Sequence, residues 1–361
     1  MSVNSALARL RAFDSSRLDF LFQKMSSLKV VVIGDYFLDK YLDLDPALDE
    51  ISLETGKTAH QVVGISHFPG AAGNVAANVA ALGVRDVRAV GFRGEDGEGW
   101  ELEADLLSMG VDASGLFVWS GRRTPTYLKP RDLRQIGLAG EGDRIDFKNR
   151  DRTPRALEEL LIGRIEAGLG EPDVLLVTDQ VDDESAGVVT PFVRNAILDL
   201  AKRRRGTLVA MADSRKRILD FGGLVLKMNS REFSAIDRTD SLTAPDEILE
   251  AAELGRAVAV LEARAGSPVF VTAGRRGAWI GGTDPSLVPG LAIEGDIDST
   301  GAGDSFAAAS ALALASGASF AEAALVGCLA SSETVRILGR TGVPTRAGMQ
   351  SALGQWRAQR L

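Results

Sequence analysis

Asp298-Ser299-Thr300-Gly301-Ala302-Gly303-Asp304-Ser305-Phe306 is the stretch on which the reading of this chain turns. The run from Leu291 to Ile297 before it has the composition of a short strand, and the alanine-rich run from Phe306 to Ala315 after it reads as a buried helix. Strand, glycine turn and helix follow one another. Gly301 and Gly303 let the backbone turn tightly and let another group approach its amides. Free N–H groups at a helix start, with the positive end of the helix dipole, make a place for an anion. Asp304 falls at that same end. It is either a helix-capping aspartate or a base beside a bound phosphate, taking the proton of a hydroxyl that attacks phosphorus. The helix start is expected to hold its pKa low, making it a weak base, which a loose transition state tolerates.

The nonapeptide resembles the C-terminal signature of the ribokinase (PfkB) carbohydrate kinase family, and other segments agree with that family in the same order. The resemblance implies an α/β fold, a ribokinase-like three-layer sandwich with a mostly parallel central sheet and a small β-sheet lid. It implies transfer of the ATP γ-phosphoryl group to a sugar hydroxyl, with Mg²⁺ and a monovalent cation, K⁺. It makes Asp304 the base and the amides of Gly301, Ala302 and Gly303 the stabilisers of charge on the phosphoryl oxygens. Asp298 and Thr300 would hold the monovalent cation that orders this anion hole.

The bulk properties fit. The chain has 361 residues, enough for one large α/β domain with an insertion or for two domains, and 45% are hydrophobic. A net charge of −8, from 41 basic and 49 acidic residues, argues against nucleic-acid or membrane-surface partners. Arg203, Arg204 and Arg205 read as a solvated helix end. Cys328 is the only cysteine, which excludes an intrachain disulfide and fits a reducing cytoplasm. His60 and His67 lack metal-ligand spacing. No basic segment followed by an apolar core opens the chain, and no apolar run is long enough to span a bilayer. A cytoplasmic protein is expected.

Taken in order, residues 1–28 read as an N-terminal helical extension of one or two amphipathic helices, lying on the main domain or serving self-association. Residues 29–345 are expected to form the kinase domain, and 346–361 a C-terminal helix. Lys29 to Asp35 is an uninterrupted apolar run ending in Gly34-Asp35, a buried parallel strand. Ligands sit at the carboxyl ends of such strands, so Asp35 is a candidate for sugar hydroxyls, and the family pattern agrees. Asp39 is either a second such ligand or a surface charge. Residues 41–69 and 122–147 read as strands of a lid, which would exclude water from the transfer; in the resembling family such lids also make dimer contacts, so a homodimer through the lid is expected. The turn Gly70-Ala71-Ala72-Gly73-Asn74 resembles the family's N-terminal G-G-x-x-N signature, with Ala71 where many members have glycine, and implies sugar binding there. A small-residue helix follows to a Gly83 stop. Val87 to Gly91 is a strand and Glu101 to Met109 a helix; Gly94 to Gly99 is a loop without the dinucleotide glycine order. Thr124 to Arg131 and Arg144 to Phe147 read as strands bracketing a glycine-rich turn, in which Lys129 and Arg131 meet an anionic substrate group or are surface charges. Three strand–helix repeats then start at Val174–Asp179, Thr207–Asp213 and Leu224–Asn229, with Asp179 a substrate candidate. Asn229 and Glu232 are either a capping box or, as the family's N-x-x-E element implies, holders of a hydrated Mg²⁺. Val269 to Ile280 is a hairpin; in the family its turn lies against the nucleotide, making Thr272, Gly274 and Gly277 ATP contacts together with Gly301 and Gly303. The helix from Phe320 to Val335 would face core on one side and adenine on the other.

Within the family, Gly34-Asp35, Asp39, Arg144 to Asp146 and Asn229 to Phe233 look like the heptose 7-phosphate kinase half of the bifunctional ADP-heptose synthase. The sequence departs from it at residues 51–56, which lack prolines, and at Asp179-Gln180, which lacks the tyrosine and following Lys-Gly; no nucleotidyltransferase segment follows. Another sugar, a sugar acid or a nucleoside therefore stays open as acceptor, and so does a non-catalytic sugar-binding protein on the same fold. P-loop and protein-kinase motifs are absent.

Overall fold

The computed structural model describes residues 3–135, 140–167, 171–237, 251–281, 285–339 and 341–360. Helices α1 (Val3–Leu10) and α2 (Ser15–Met25) precede the first core strand, β1 (Lys29–Gly34). The chain then makes β2 (Tyr36–Leu44), β3 (Glu50–Ile51), β4 (Thr58–Ala59) and β5 (Val62–Ala71) before α3 (Ala72–Ala81) returns it to β6 (Asp86–Arg93), α4 (Gly97–Ser108) and β7 (Asp112–Val118). Next come β8 (Thr126–Asp132), β9 (Ile145–Phe147), α5 (Arg155–Ala167), β10 (Val174–Asp179), α6 (Pro191–Arg203), β11 (Val209–Ser214) and β12 (Val225–Asn229). The remainder is α7 (Ser230–Asp237), α8 (Ala251–Ala265), β13 (Val269–Thr272), β14 (Gly277–Ile280), β15 (Ser286–Pro289), α9 (Ala302–Ala315), α10 (Phe320–Thr334) and α11 (Arg346–Arg360).

Nine strands form one sheet in the order β15-β14-β13-β12-β11-β10-β1-β6-β7, parallel from β13 to β7 and antiparallel through β13-β14-β15. Side chains alternate across a strand. On β1, Val30 and Val32 enter the core built with α3, α9 and α10, while Val31 and Ile33 enter the core built with α5 and α6. Helices cover both faces, which is why this strand is apolar at every position. Small residues set the α9–α10 contact: Ala307, Ala308, Ala311, Ala323 and Ala324 are fully buried, and a Cβ on Gly327 would stand 2.7 Å from the Phe306 ring. Helices α1 and α2 lie on the main domain, burying Leu10, Leu18, Leu21 and Met25, with Arg17 paired to Glu322 at 2.9 Å. No helix among the described residues is long and apolar enough to cross a membrane.

A second sheet, β5-β2-β8-β9, stands off this body, with β2–β8 parallel and the other pairs antiparallel. An ion pair between Lys40 and Glu101 at 2.7 Å and a hydrogen bond between His67 Nδ1 and Asp105 Oδ2 at 2.7 Å tie it to α4. Its first strand starts at Tyr36, not near residue 41, because the chain reverses directly at Gly34-Asp35: a Cβ on Gly34 would stand 2.2 Å from the Thr178 carbonyl oxygen. Part of the glycine-rich turn expected between β8 and β9, residues 136–139, lies outside the described residues.

The structure corrects several further expectations. Leu291–Ile297 is not a strand; β15 is the edge of the sheet, and this segment instead crosses toward α9 with Leu291 packed on the core. The second strand–helix repeat has only a 3-10 turn, Ile218–Phe221, between β11 and β12. Helix α9 starts four residues before Phe306, at Ala302, and α4 starts at Gly97 on an Asp96 cap that accepts from Gly99 N at 2.9 Å. Strand β7 joins the edge of the sheet without an unbroken apolar run to mark it in the sequence.

Candidate active site

The site is built from the head of α9 outward. Gly301 caps the helix at φ +77°, a left-handed conformation that glycine adopts without strain. A Cβ there would also stand 2.8 Å from Asn74 Nδ2. Gly303 answers a different need: a Cβ on it would stand 2.7 Å from Lys227 Nζ. Asp304, in the first turn, accepts a hydrogen bond from Asn74 Nδ2 at 2.6 Å. Asn78 fixes the Asn74 amide in turn, donating to its Oδ1 at 3.1 Å and to its backbone oxygen at 2.8 Å. Helix α3 and helix α9, 230 residues apart in the sequence, therefore meet at the Asn74–Asp304 pair.

Asp304 keeps a solvent-facing edge, but protein surrounds it. That desolvation raises its carboxyl to about 6; Lys227 and the Asn74 hydrogen bond pull it back, while Asp213 and Asp39 push it up. The expected low pKa at a helix start is thus overturned. A helix terminus contributes about 1 kcal/mol at most sites, and burial beside two further acids outweighs it. A carboxylate near 6 is a better base than one near 4 and is still ionised at neutral pH.

A cavity of about 290 Å³ opens at the carboxyl ends of β1 and β10, walled by Phe37, Phe92 and Tyr127 and reaching Asp35. Asp35 is buried and holds three backbone amides, from Gln180 at 2.7 Å, Val181 at 3.1 Å and Val188 at 2.7 Å. Desolvation and the neighbouring Asp179 raise its carboxyl to about 6 against these three hydrogen bonds. The first use of its oxygens is thus to order the loop after β10. Asp179 does not serve as an open ligand. Arg217 Nη2 donates to its Oδ1 at 2.6 Å, and Ser214 Oγ and Arg217 Nε donate to its Oδ2 at 2.6 and 3.1 Å. A buried acid at a strand end takes a partner when one is within reach, and Arg217 supplies it.

At the β5–α3 junction, Gly70 lets the Asp39 carboxylate lie 3.1 Å from where a Cβ would be, and Gly73 packs on Pro69. Ala71 sits at φ +50°, ψ −120°, the only non-glycine residue with positive φ among the described residues. Ala72 follows as the first, buried residue of α3, its amide bonded to the Asp35 carbonyl at 3.0 Å. Asp39 and Lys129 pair at 3.1 Å inside the lid, with Lys129 also donating to Tyr41 Oη at 3.2 Å. Arg131 reaches from the lid to Asp43 Oδ1 at 2.8 Å and to the Gly339 carbonyl at 3.1 Å.

A second cavity, about 170 Å³ and mostly apolar, lies against the β13–β14 turn, the 291–297 segment, α9 and α10. Thr272, Gly274, Gly277, Ala302 and Gly303 line it, with Ile293, Phe306 and Cys328. Burial pushes the Cys328 thiol up to about 12, so it stays protonated. Asn229 and Glu232 form a reciprocal cap on α7: Asn229 Oδ1 accepts from Glu232 N at 2.9 Å, and Glu232 Oε2 accepts from Asn229 N at 2.8 Å. The capping reading is therefore realised. It leaves Glu232 Oε1 for a hydrated Mg²⁺, which keeps several waters and needs few protein ligands, so the residues fit that ion. Asp298 is buried and accepts from Thr300 N at 2.9 Å and Gly339 N at 3.2 Å, drawing the segment after α10 to the head of α9. Among the described residues no three acids, histidines or cysteines gather as a metal cluster.

Sequence reasoning missed Lys227 and Asp213, buried and 2.5 Å apart. It also missed Lys148, Arg150 and Arg215 on the wall of the larger cavity. The one available signal was a lysine inside the apolar run of β12, since a buried ammonium requires a partner.

Residues 222–346 match the pfkB family carbohydrate kinase. A bifunctional protein HldE from Trichlorobacter lovleyi is 30% identical over 333 residues, covering 91% of this chain and 64% of that protein. A bifunctional protein HldE from Caulobacter sp. is 34% identical over 316 residues, covering 87% and 60%. The chain thus spans less than two thirds of the length of these curated relatives. A ribokinase from Thermotoga maritima superposes with a TM-score of 0.66 at 23% identity, over 91% of this chain and 99% of that one. The phosphofructokinase-2 from Escherichia coli in complex with fructose-6-phosphate gives 0.67 at 19%, over 91% and 98%. The structural likenesses establish the ribokinase-like fold, a mostly parallel central sheet between helices with a small second sheet.

Proposed function

We propose that this chain, whose residues 222–346 match the pfkB family carbohydrate kinase, is a carbohydrate kinase that transfers the γ-phosphoryl group of ATP to a hydroxyl of a sugar or sugar phosphate. The observation that carries this reading is Asp304, hydrogen-bonded to Asn74 at the head of a helix whose first residues, Ala302 and Gly303, line the smaller cavity. In this reading the smaller cavity takes the adenine, and the phosphates run toward the amides of Gly301, Ala302 and Gly303. Those amides stabilise charge on the phosphoryl oxygens in a site from which protein has displaced water. Asp304 accepts the proton of the attacking hydroxyl as the loose transition state forms. Mg²⁺, held through water by Glu232 and Asn229, would neutralise phosphate charge. The loop held by Asp298 and Thr300 would take a monovalent cation such as K⁺.

The larger cavity takes the acceptor. Arg150 and Arg215 on its wall form no ion pair among the described residues, and Lys148 beside them pairs with Asp146 at 3.1 Å. These cations favour an acceptor that already carries a phosphate or carboxylate over a neutral nucleoside. Heptose 7-phosphate meets that requirement and matches the relatives named HldE. The lid exposes Val63 and Ile65 on β5 and Ile145 on β9, an apolar face suited to a homodimer.

ADP release with ATP–Mg²⁺ across sugars, sugar acids, sugar phosphates and nucleosides, with Asp304→Asn beside the wild type, tests the reading. A phosphorylated sugar that drives turnover in the wild type alone supports it. Ligands that shift the melting temperature without any turnover would replace it with a sugar-binding protein.

A further inference from the structure

Asn74 and Asn78 stand one turn apart on α3, and both are buried, Asn78 completely. A side-chain amide donates from its nitrogen and accepts at its oxygen, and Asn74 uses both ends. Its Nδ2 donates to Asp304 Oδ2 at 2.6 Å, and its Oδ1 accepts from Asn78 Nδ2 at 3.1 Å. The same Asn78 nitrogen donates to the Asn74 backbone oxygen at 2.8 Å. Both atoms in front of that nitrogen are acceptors, so the donating end of Asn78 has to face them. Its own Oδ1 is left buried without a hydrogen-bond partner among the described residues. An unpaired buried acceptor costs stability, and a leucine of similar shape would avoid that cost. Stability therefore does not account for an asparagine at 78.

The orientation of the Asn74 amide matters because Asp304 titrates. An amide free to turn over serves either form of the acid: its nitrogen donates to the carboxylate, and its oxygen accepts from the protonated carboxyl. Such a partner favours neither form. An amide fixed with its nitrogen toward the carboxyl rewards the ionised form alone. The charged groups around Asp304 are Lys227 on β12, Asp213 on β11 and Asp39 on β2. Lys227 and the Asn74 hydrogen bond hold the carboxylate, while burial, Asp213 and Asp39 oppose it. Of the two groups that hold it, only the amide has an accepting end, and Asn78 keeps that end occupied.

We propose that Asn78 is a positioning residue for phosphoryl transfer: it locks the Asn74 amide so that Asp304 is held ionised, ready for the proton of the attacking hydroxyl. The proposal rests on the kinase reading above. Completely buried, Asn78 reaches no substrate and acts through Asn74. Asn74 in turn holds one oxygen of the base, Oδ2, and leaves Oδ1 without a hydrogen bond among the described residues.

The test compares wild type with Asn78→Leu. The carboxyl resonance of Asp304 is followed through pH in protein made with isotope-labelled aspartate, the signal being identified by its loss in Asp304→Asn. Wild type should titrate at about 6, and Asn78→Leu about one pH unit higher. That change cuts the ionised fraction about fivefold at pH 6 and by only about a tenth at pH 8. Turnover at saturating ATP and acceptor should fall by the same factors, with the acceptor KM unchanged and the urea midpoint no lower than that of wild type. An Asp304 signal that titrates alike in both proteins, or a loss of turnover equal at pH 6 and pH 8, would overturn the proposal, because a merely structural asparagine affects both pH values alike. Should Asn78→Leu fold poorly, Asn78→Ser carries the same predictions: its hydroxyl bonds the Asn74 backbone oxygen one turn away and is too short for the side-chain oxygen. A wild type without turnover on any acceptor would defeat the kinase reading instead; the titration would still decide for or against Asn78.

Discussion

Replacing Asp304 with asparagine should kill activity and stabilise the fold, and the two effects should separate with pH. The carboxyl moves from 3.8 to about 6 on folding, chiefly through desolvation. A displacement of that size corresponds to about 3 kcal/mol between the protonated and ionised forms. Asp304 keeps a solvent-facing edge and Lys227 loses a counter-charge in the variant, so about 2 kcal/mol is the working figure. The sign follows from linkage. The native state binds the Asp304 proton more tightly than the unfolded state, so this group's favourable contribution is complete below pH 4 and is lost as pH rises through 6. Asparagine is neutral throughout and never loses it. Urea unfolding at pH 8, 7, 6, 5 and 4 should show the variant more stable by about 2 kcal/mol at pH 8, with the gap closing below 6 and gone near 4. Turnover of the variant should fall about 10²- to 10⁴-fold, and wild-type turnover should drop tenfold per pH unit below about 6 as the base protonates. A variant no more stable than wild type at pH 8, or a gap unchanged at pH 4, would refute the reasoning.

Ala71→Gly should relieve the positive-φ strain at the head of α3. After the entropy glycine adds to the unfolded chain, the net gain is about 1 kcal/mol, seen as a higher denaturation midpoint. Arg217→Met should cost about 3–5 kcal/mol by leaving Asp179 buried without its partner, with the acceptor KM little changed; a loss confined to KM would instead restore Asp179 as a substrate ligand. Gly303→Ala places a Cβ 2.7 Å from the flexible end of Lys227. The fold should survive it, with turnover down at least about tenfold because the crowding shifts the α9 amides; unchanged turnover would place the phosphoryl group elsewhere.

Much of this architecture could be read from the chain because local chemistry and global fold agree. Val30 to Ile33 is apolar at every position only because helices cover both faces, and the alanines of α9 announce close packing against α10. The nonapeptide from Asp298 to Phe306 located the head of α9, but the hydrogen bond that brings Asn74 to Asp304 was not foreseen. What escaped reading depends on partners distant in sequence. Asp179 looked like an open ligand until Arg217, 38 residues on, closed it. Lys227 carried no motif, and its partner Asp213 lies on the neighbouring strand. Asp304 was expected to be acidic because a helix start is visible in sequence and desolvation is not. Leu291–Ile297 had strand composition but pairs with no strand and leaves β15 as the edge of the sheet.

The central claim is that Asp304 serves as base for phosphoryl transfer to a sugar hydroxyl. Its most direct test is a single-turnover transfer of labelled γ-phosphoryl from ATP to the acceptor, wild type against Asp304→Asn, at saturating concentrations of both substrates. The account predicts labelled sugar phosphate from the wild type and a loss of about 10²-fold or more in the variant with ATP binding intact. Equal transfer by both proteins, or label released by the wild type only as free phosphate, would contradict it.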